Sequence, residues 1–204
     1  MGQVALVGEK LSCRRGLREL FSGLDVRGAS GRALVVTGPN GVGKSSLLRI
    51  LAGLMDASAG TIRLDGAAGD APLREEIHYL GHEDAVKGAL STAANLDFWR
   101  RVLGANGLPV EAALDEVGLG GLGRLRGAVL SAGQKRRLAI ARLLVSRRRV
   151  WILDEPTTAL DTAAQARFCG FVRAHLSGGG IVVAATHAPL DFGPADELRL
   201  GRPA

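Results

Sequence analysis

Three short runs of this sequence hold residue types at spacings that can do chemistry. The sharpest is Gly38-Pro39-Asn40-Gly41-Val42-Gly43-Lys44-Ser45, which fits the G-x-x-x-x-G-K-[ST] pattern of a loop that cradles phosphates. Such a loop turns successive backbone N–H groups onto phosphate oxygens, and glycines at its bends leave room for the approach. Lys44 brings a point charge to the β and γ phosphates, and the Ser45 hydroxyl can ligate Mg²⁺. Ser46 completes the nucleotide-contacting run, where the positive end of a following helix adds its attraction. The second run is Val150-Trp151-Ile152-Leu153-Asp154-Glu155. An apolar strand here carries Asp154 to its C-terminal end, where ligands of α/β sheets sit, so its carboxylate can hold Mg²⁺ through water opposite Ser45. Side chains alternate along a strand, so Glu155 is expected to point away from Asp154. That leaves Glu155 as general base for the water that attacks the γ-phosphate. The third run, Leu130-Ser131-Ala132-Gly133-Gln134, is by itself only an N-cap serine and a glycine at the start of a helix.

The elements that must position these residues follow from periodicity. Residues 3–8, 32–37, 60–65, 77–80 and 181–187 read as short strands, 150–155 as a buried strand ended by Pro156, and 196–201 as an edge strand. Residues 44–53 and 161–176 read as helices. Between 85 and 147 the chain reads as mostly helical, with Leu96, Trp99 and Leu103 on one face of a first helix and Pro109 in the first turn of a second. The third helix takes Ser131 as N-cap and Leu138, Ala141, Leu144 and Val145 as its apolar stripe. Strands alternating with helices predict an α/β fold with a largely parallel core. A single domain is expected, with a core over about 1–84 and 148–204 and a helical subdomain over about 85–147.

Taken in order, the phosphate loop, the 130–134 run, Asp154-Glu155, Ala159-Leu160-Asp161 and His187 resemble the motif set of the ATP-binding-cassette ATPases, over nearly the whole chain. The resemblance implies a P-loop NTPase cassette with an antiparallel β part beside the parallel core. It makes His187 the switch histidine and a catalytic partner of Glu155. It also implies that two copies close head to tail, so that Ser131, Ala132, Gly133 and Gln134 serve the ATP held by the other copy, while Asp161 communicates between the two sites. Ala132 replaces the first glycine of the usual signature, and a methyl group is a small intrusion there. Two departures stand out. The family usually stacks an aromatic on adenine about 25 residues before the phosphate loop; Ser12-Cys13-Arg14-Arg15-Gly16 has none, and the Arg15 guanidinium can stack instead. His82, in Tyr79-Leu80-Gly81-His82-Glu83, stands where the family's coupling glutamine is expected. With Leu20–Leu24 and Leu90–Leu96, these departures resemble the branch that serves cytochrome c maturation. That branch implies an integral membrane partner, with ATP hydrolysis powering haem export or release of a haem-loaded chaperone. The ATPase of another ABC transporter and a soluble nucleic-acid-linked ATPase of the same fold are the alternatives.

Composition bounds these readings. In 204 residues with 47% apolar residues, no run approaches the ~18–20 uninterrupted apolar residues of a membrane span. The N-terminus has no secretory pattern, and Leu6 breaks the myristoylation pattern. A cytoplasmic chain is expected, peripheral on the membrane's cytoplasmic face through its partner. Formal charge is +6, but only four of the 26 basic residues are lysines, and the two clusters, 135–137 and 147–149, read as a solvated helix face or a helix C-terminus, with an anionic partner as the alternative. No nucleic-acid partner is expected. Cys13 and Cys169 read as buried, reduced thiols. His78, His82, His175 and His187 each have a place in a loop, strand or switch, so no direct haem binding is expected.

Overall fold

The computed structural model describes residues 4–66 and 72–201, in two compact units. One holds the chain up to Tyr79, Arg149–Glu155 and the chain from Val172 on; the other holds Leu80–Arg148 and Pro156–Phe171. Relative to the boundaries expected from sequence, residues 80–84 and 156–171 lie with the helical unit.

The first unit contains two sheets. The five-stranded sheet runs β5 (Ile77–Leu80), β6 (Val150–Asp154), β7 (Ile181–Ala185), β3 (Ala33–Thr37), β8 (Ala195–Arg199), and the pairs from β6 through β8 are parallel. Every residue of β6 and of β7 is buried, the continuous apolar run expected of strands covered on both faces. The three-stranded sheet is antiparallel, in the order β2 (Arg18–Ala29), β1 (Ala5–Arg15), β4 (Ala59–Asp65). The strand expected over 3–8 is therefore much longer, and its first residue, Gln3, lies outside the described residues. β2 was not expected at all: it contains Gly23 and Gly28, and the adjacent pairs Arg18-Glu19 and Leu20-Phe21 break the polar–apolar alternation that marks a strand. Leu6 and Leu11 from β1, Leu47, Leu48 and Leu51 from α1 (Lys44–Leu51), and Ile152 and Val183 from the parallel sheet share one core, each contributing ~2 kcal/mol by burial. Both cysteines are buried and free.

The second unit is built on α2 (Thr92–Leu103), α3 (Val110–Glu116), α4 (Ala132–Val145) and the first ten residues of α5 (Thr162–Ser177). The expected helical stretch begins only at Thr92. Before it, the Asn95 side chain holds a loop, accepting from the Lys87 N–H at 2.8 Å and donating to the Lys87 carbonyl at 3.0 Å. Pro109 is the N-cap of α3 rather than a first-turn residue. Ser131 caps α4 as expected, but α4 buries far more than one stripe: Arg136, Leu138, Ala139, Ile140, Ala141, Arg142, Leu143 and Val145 are all interior. Arg136 in the 135–137 cluster is thus no part of a solvated face, because its guanidinium finds interior acceptors.

Candidate functional site

β3 ends at Thr37, and the chain turns into the phosphate loop at Gly38 with φ 138°. A β-carbon there would strike the Leu200 carbonyl oxygen, so only glycine fits. Gly43, the N-cap of α1 at φ 114°, would place a β-carbon 3.1 Å from Leu20 Cβ and 3.2 Å from Phe21 Cδ1. No side chain caps α1, which leaves its first amides for an anion held by the loop. Lys44 is 9% exposed, and its Nζ donates to the carbonyls of Gly38 at 2.7 Å and Pro39 at 3.2 Å. The loop's own backbone therefore lays the ammonium along its inner rim.

Opposite lies the end of β6. The Ser45 hydroxyl donates to Asp154 Oδ1 at 3.1 Å, and Asp154 is 4% exposed. The Tyr79 hydroxyl donates to Asp154 Oδ2 at 3.5 Å, and burial pushes its own pKa up. Tyr79 is a contact the motifs gave no signal for, since it is simply one residue of the short strand β5. The two hard oxygen donors side by side suit Mg²⁺. Among the described residues no group of three or more His, Cys, Asp or Glu could hold a metal.

Glu155 does point away from Asp154, though not through strand alternation. β6 stops at Asp154, and Glu155 takes φ 47° while its N–H still donates to the Ala185 carbonyl at 2.9 Å. Non-glycine residues rarely adopt that torsion, and such strain concentrates at functional sites. It brings Glu155 to His187, whose N–H donates to Oε2 at 3.4 Å and whose Nε2 lies 3.7 Å from Oε1. His187 Nε2 also lies 3.0 Å from Asn40 Oδ1 in the phosphate loop. β7 ends at Ala185, so His187 sits just beyond the strand expected to contain it. Lys44, Ser45, Asp154, Glu155 and His187 thus converge within one unit. Arg15, also in that unit, is exposed at the tip of the β1–β2 hairpin, in register with Arg18.

The remaining motif residues belong to the helical unit. The Ser131 hydroxyl accepts from the Gln134 N–H at 3.2 Å, and Gln134 Oε1 accepts from the Ser131 N–H at 2.8 Å, a reciprocal capping box. Ala132 is exposed, and a β-carbon at Gly133 would lie 2.9 Å from the Ala159 carbonyl oxygen. Asp161 accepts from the Ala164 N–H at 2.7 Å and so caps α5. His82 is exposed in the loop after β5.

Comparison with known proteins agrees with this geometry. A family model described as "ABC transporter" matches residues 21–158. A Nitrobacter winogradskyi protein named "Cytochrome c biogenesis ATP-binding export protein CcmA" is 54% identical over 196 residues, covering 96% of this chain and 98% of its own. A Rhodopseudomonas palustris protein of the same name is 52% identical over 199 residues, covering 98% of this chain and 99% of its own. Among solved structures, a putative ABC transporter ATP-binding protein from Pyrococcus furiosus matches with a TM-score of 0.81 over 96% of this chain and 97% of that one; at 23% identity the likeness is one of fold.

Proposed function

The chain belongs to the ABC transporter ATP-binding family, and from that membership we propose that it is the ATP-hydrolysing subunit of a membrane complex for c-type cytochrome biogenesis. The observation that carries the reading is the near-full-length identity to relatives so named, laid over an intact set of hydrolytic residues. Hydrolysis then powers haem export or the release of a haem-loaded chaperone.

In this reading the loop amides from Gly38 to Ser46 and the α1 N-terminus hold the phosphates of ATP, with Pro39, Asn40, Gly41 and Val42 shaping the loop. Lys44 moves from the Gly38 and Pro39 carbonyls onto the β and γ phosphates. Ser45, directly, and Asp154, through water, would hold Mg²⁺. That ion, when bound, neutralises charge on the phosphates during transfer. Glu155 accepts the proton of the attacking water, a task that its partial exposure and distinct direction permit. His187 lies beside Glu155 and Asn40 of the phosphate loop and would meet the γ-phosphate of ATP held there.

Two copies closing head to tail would bring Ser131 and the Gly133 N–H, at the start of α4, to the γ-phosphate held by the other copy, with Asp161 relaying between sites. No helix among the described residues is long and apolar enough to cross a membrane, so the work is delivered through an integral membrane partner on whose cytoplasmic face the chain sits. His82 is the residue of this chain that meets that partner.

Glu155→Gln tests the chemistry. It should bind ATP, accumulate as an ATP-bound dimer, and lose turnover at least about a hundredfold, the range of general-base catalysis. Turnover equal to wild type would remove Glu155 from the base role.

A further inference from the structure

Arg136 projects from α4 and is 2% exposed. Its Nε donates to the Pro156 carbonyl at 2.8 Å, and one terminal nitrogen donates to the Gly81 carbonyl at 2.7 Å and to Asp84 Oδ1 at 3.0 Å. These acceptors lie 20, 55 and 52 residues away along the chain. Such a buried guanidinium is costly unless its N–H groups are met, and an apolar side chain would fill the same space without that cost. What an apolar side chain cannot do is hold two separate backbone segments at a fixed mutual geometry, which a planar fork does. Nor is Asp84 placed to serve Arg136 alone. A second buried guanidinium, Arg142, one turn and a half further along α4, lies 4.8 Å from the centre of the Trp99 ring and donates to the Ala139 carbonyl at 3.3 Å. Asp84 therefore faces two buried cations of the same helix.

The two segments so joined are not arbitrary. Gly81–Asp84 is the loop that carries His82, and Pro156 follows Glu155 directly in the chain. We infer that Arg136 is a positioning residue that ties the His82 loop and the segment after Glu155 to α4, so that displacement of the loop by the membrane partner is transmitted both to the helix that begins at the signature and to the chain bearing the catalytic carboxylate. This rests on the proposed reading of His82 as the contact with the partner and of Glu155 as the base. A lysine keeps the charge but has no fork, whereas a glutamine removes a charge that faces Arg142 and replaces the fork with a single, shorter amide nitrogen.

The test compares ATP hydrolysis by the chain alone with that of its assembled membrane complex, for wild type, Arg136→Gln and Arg136→Lys, with Glu155→Gln as control. The partner should stimulate the wild type. In Arg136→Gln the stimulation ratio should fall about tenfold, within the usual span of coupling between sites. Arg136→Lys should restore part of it, and the KM for ATP should hold in both variants. An unchanged ratio overturns the inference, as does a wild-type rate that is the same with and without the partner. A parallel fall of ratio, ATP affinity and melting midpoint would show that Arg136 only supports the fold. Hydrolysis by Glu155→Gln would instead sink the underlying reading, independently of Arg136.

Discussion

On β6, Trp151 lies face to face with His175 of α5, with ring centroids 4.1 Å apart and planes 6° from parallel. Among the described residues no hydrogen-bond partner meets the buried His175 Nε2, and a β-carbon at Gly180 would run into the imidazole. Burial pushes the His175 pKa below its ordinary value, opposed in part by the backbone at Ile181 and Arg149. The folded chain therefore keeps the ring neutral, and unfolding lets it take up a proton near the ordinary value of about 6.5. Stability from this group is complete above that value and lost as pH falls through it toward the lower folded pKa. His175→Phe keeps the stack and removes the titration. Urea midpoints at about pH 7.5 and about pH 5 should show a smaller acid loss for the variant than for the wild type; equal losses would assign the acid sensitivity to other groups. At this scale the sequence displays residue types but not directions. Lys44, Ser45 and Asp154 were legible because a strand, a glycine loop and a helix leave them little choice of place. The direction of Glu155 was expected from strand alternation, whereas Glu155 lies beyond the strand at a positive φ that no pattern announces. Arg136 was misread because a charge run suggests solvent, and its three acceptors lie far away in sequence.

Among the elements, α4 carries the clearest double duty. Its capping box satisfies two end donors through Ser131 and Gln134, and the same serine is proposed to meet a phosphate. The two roles separate by substitution. Ser131→Ala removes the cap and should cost about 1 kcal/mol of stability, whereas Ser131→Asp caps as well as serine but sets a negative charge against the γ-phosphate. Chemical denaturation should rank Asp with wild type and Ala below both, while hydrolysis by the assembled complex should be lowest for Asp. Equal hydrolysis by Ser131→Asp and wild type would leave the serine as a cap alone. The start of α4 and the buried strands β3, β6 and β7 were legible because caps and unbroken apolar runs are local signals. The hairpin of β1 and β2 was not, because glycines and paired polar and apolar neighbours break the alternation of β2, and the register shifts at Gly8/Leu11 and Leu11/Cys13 emerge only in the folded ladder.

For the molecule as a whole, the basic excess is partly internal or paired. Arg136 and Arg142 are buried, Arg32 meets Asp196 at 2.6 Å, and Arg63 bridges Glu9 and Asp65 at 2.7 and 2.8 Å. The net +6 is thus a weak guide to partners, and the hydrolytic set, with the relatives' shared name, is the stronger one. The most direct measurement is the amount of c-type cytochrome carrying covalently attached haem in cells that lack this chain, and in the same cells given back the wild type or Glu155→Gln. The account predicts that the cells lacking it make none, that the wild type restores it, and that Glu155→Gln does not. Normal c-type cytochromes in the absence of this chain would contradict it.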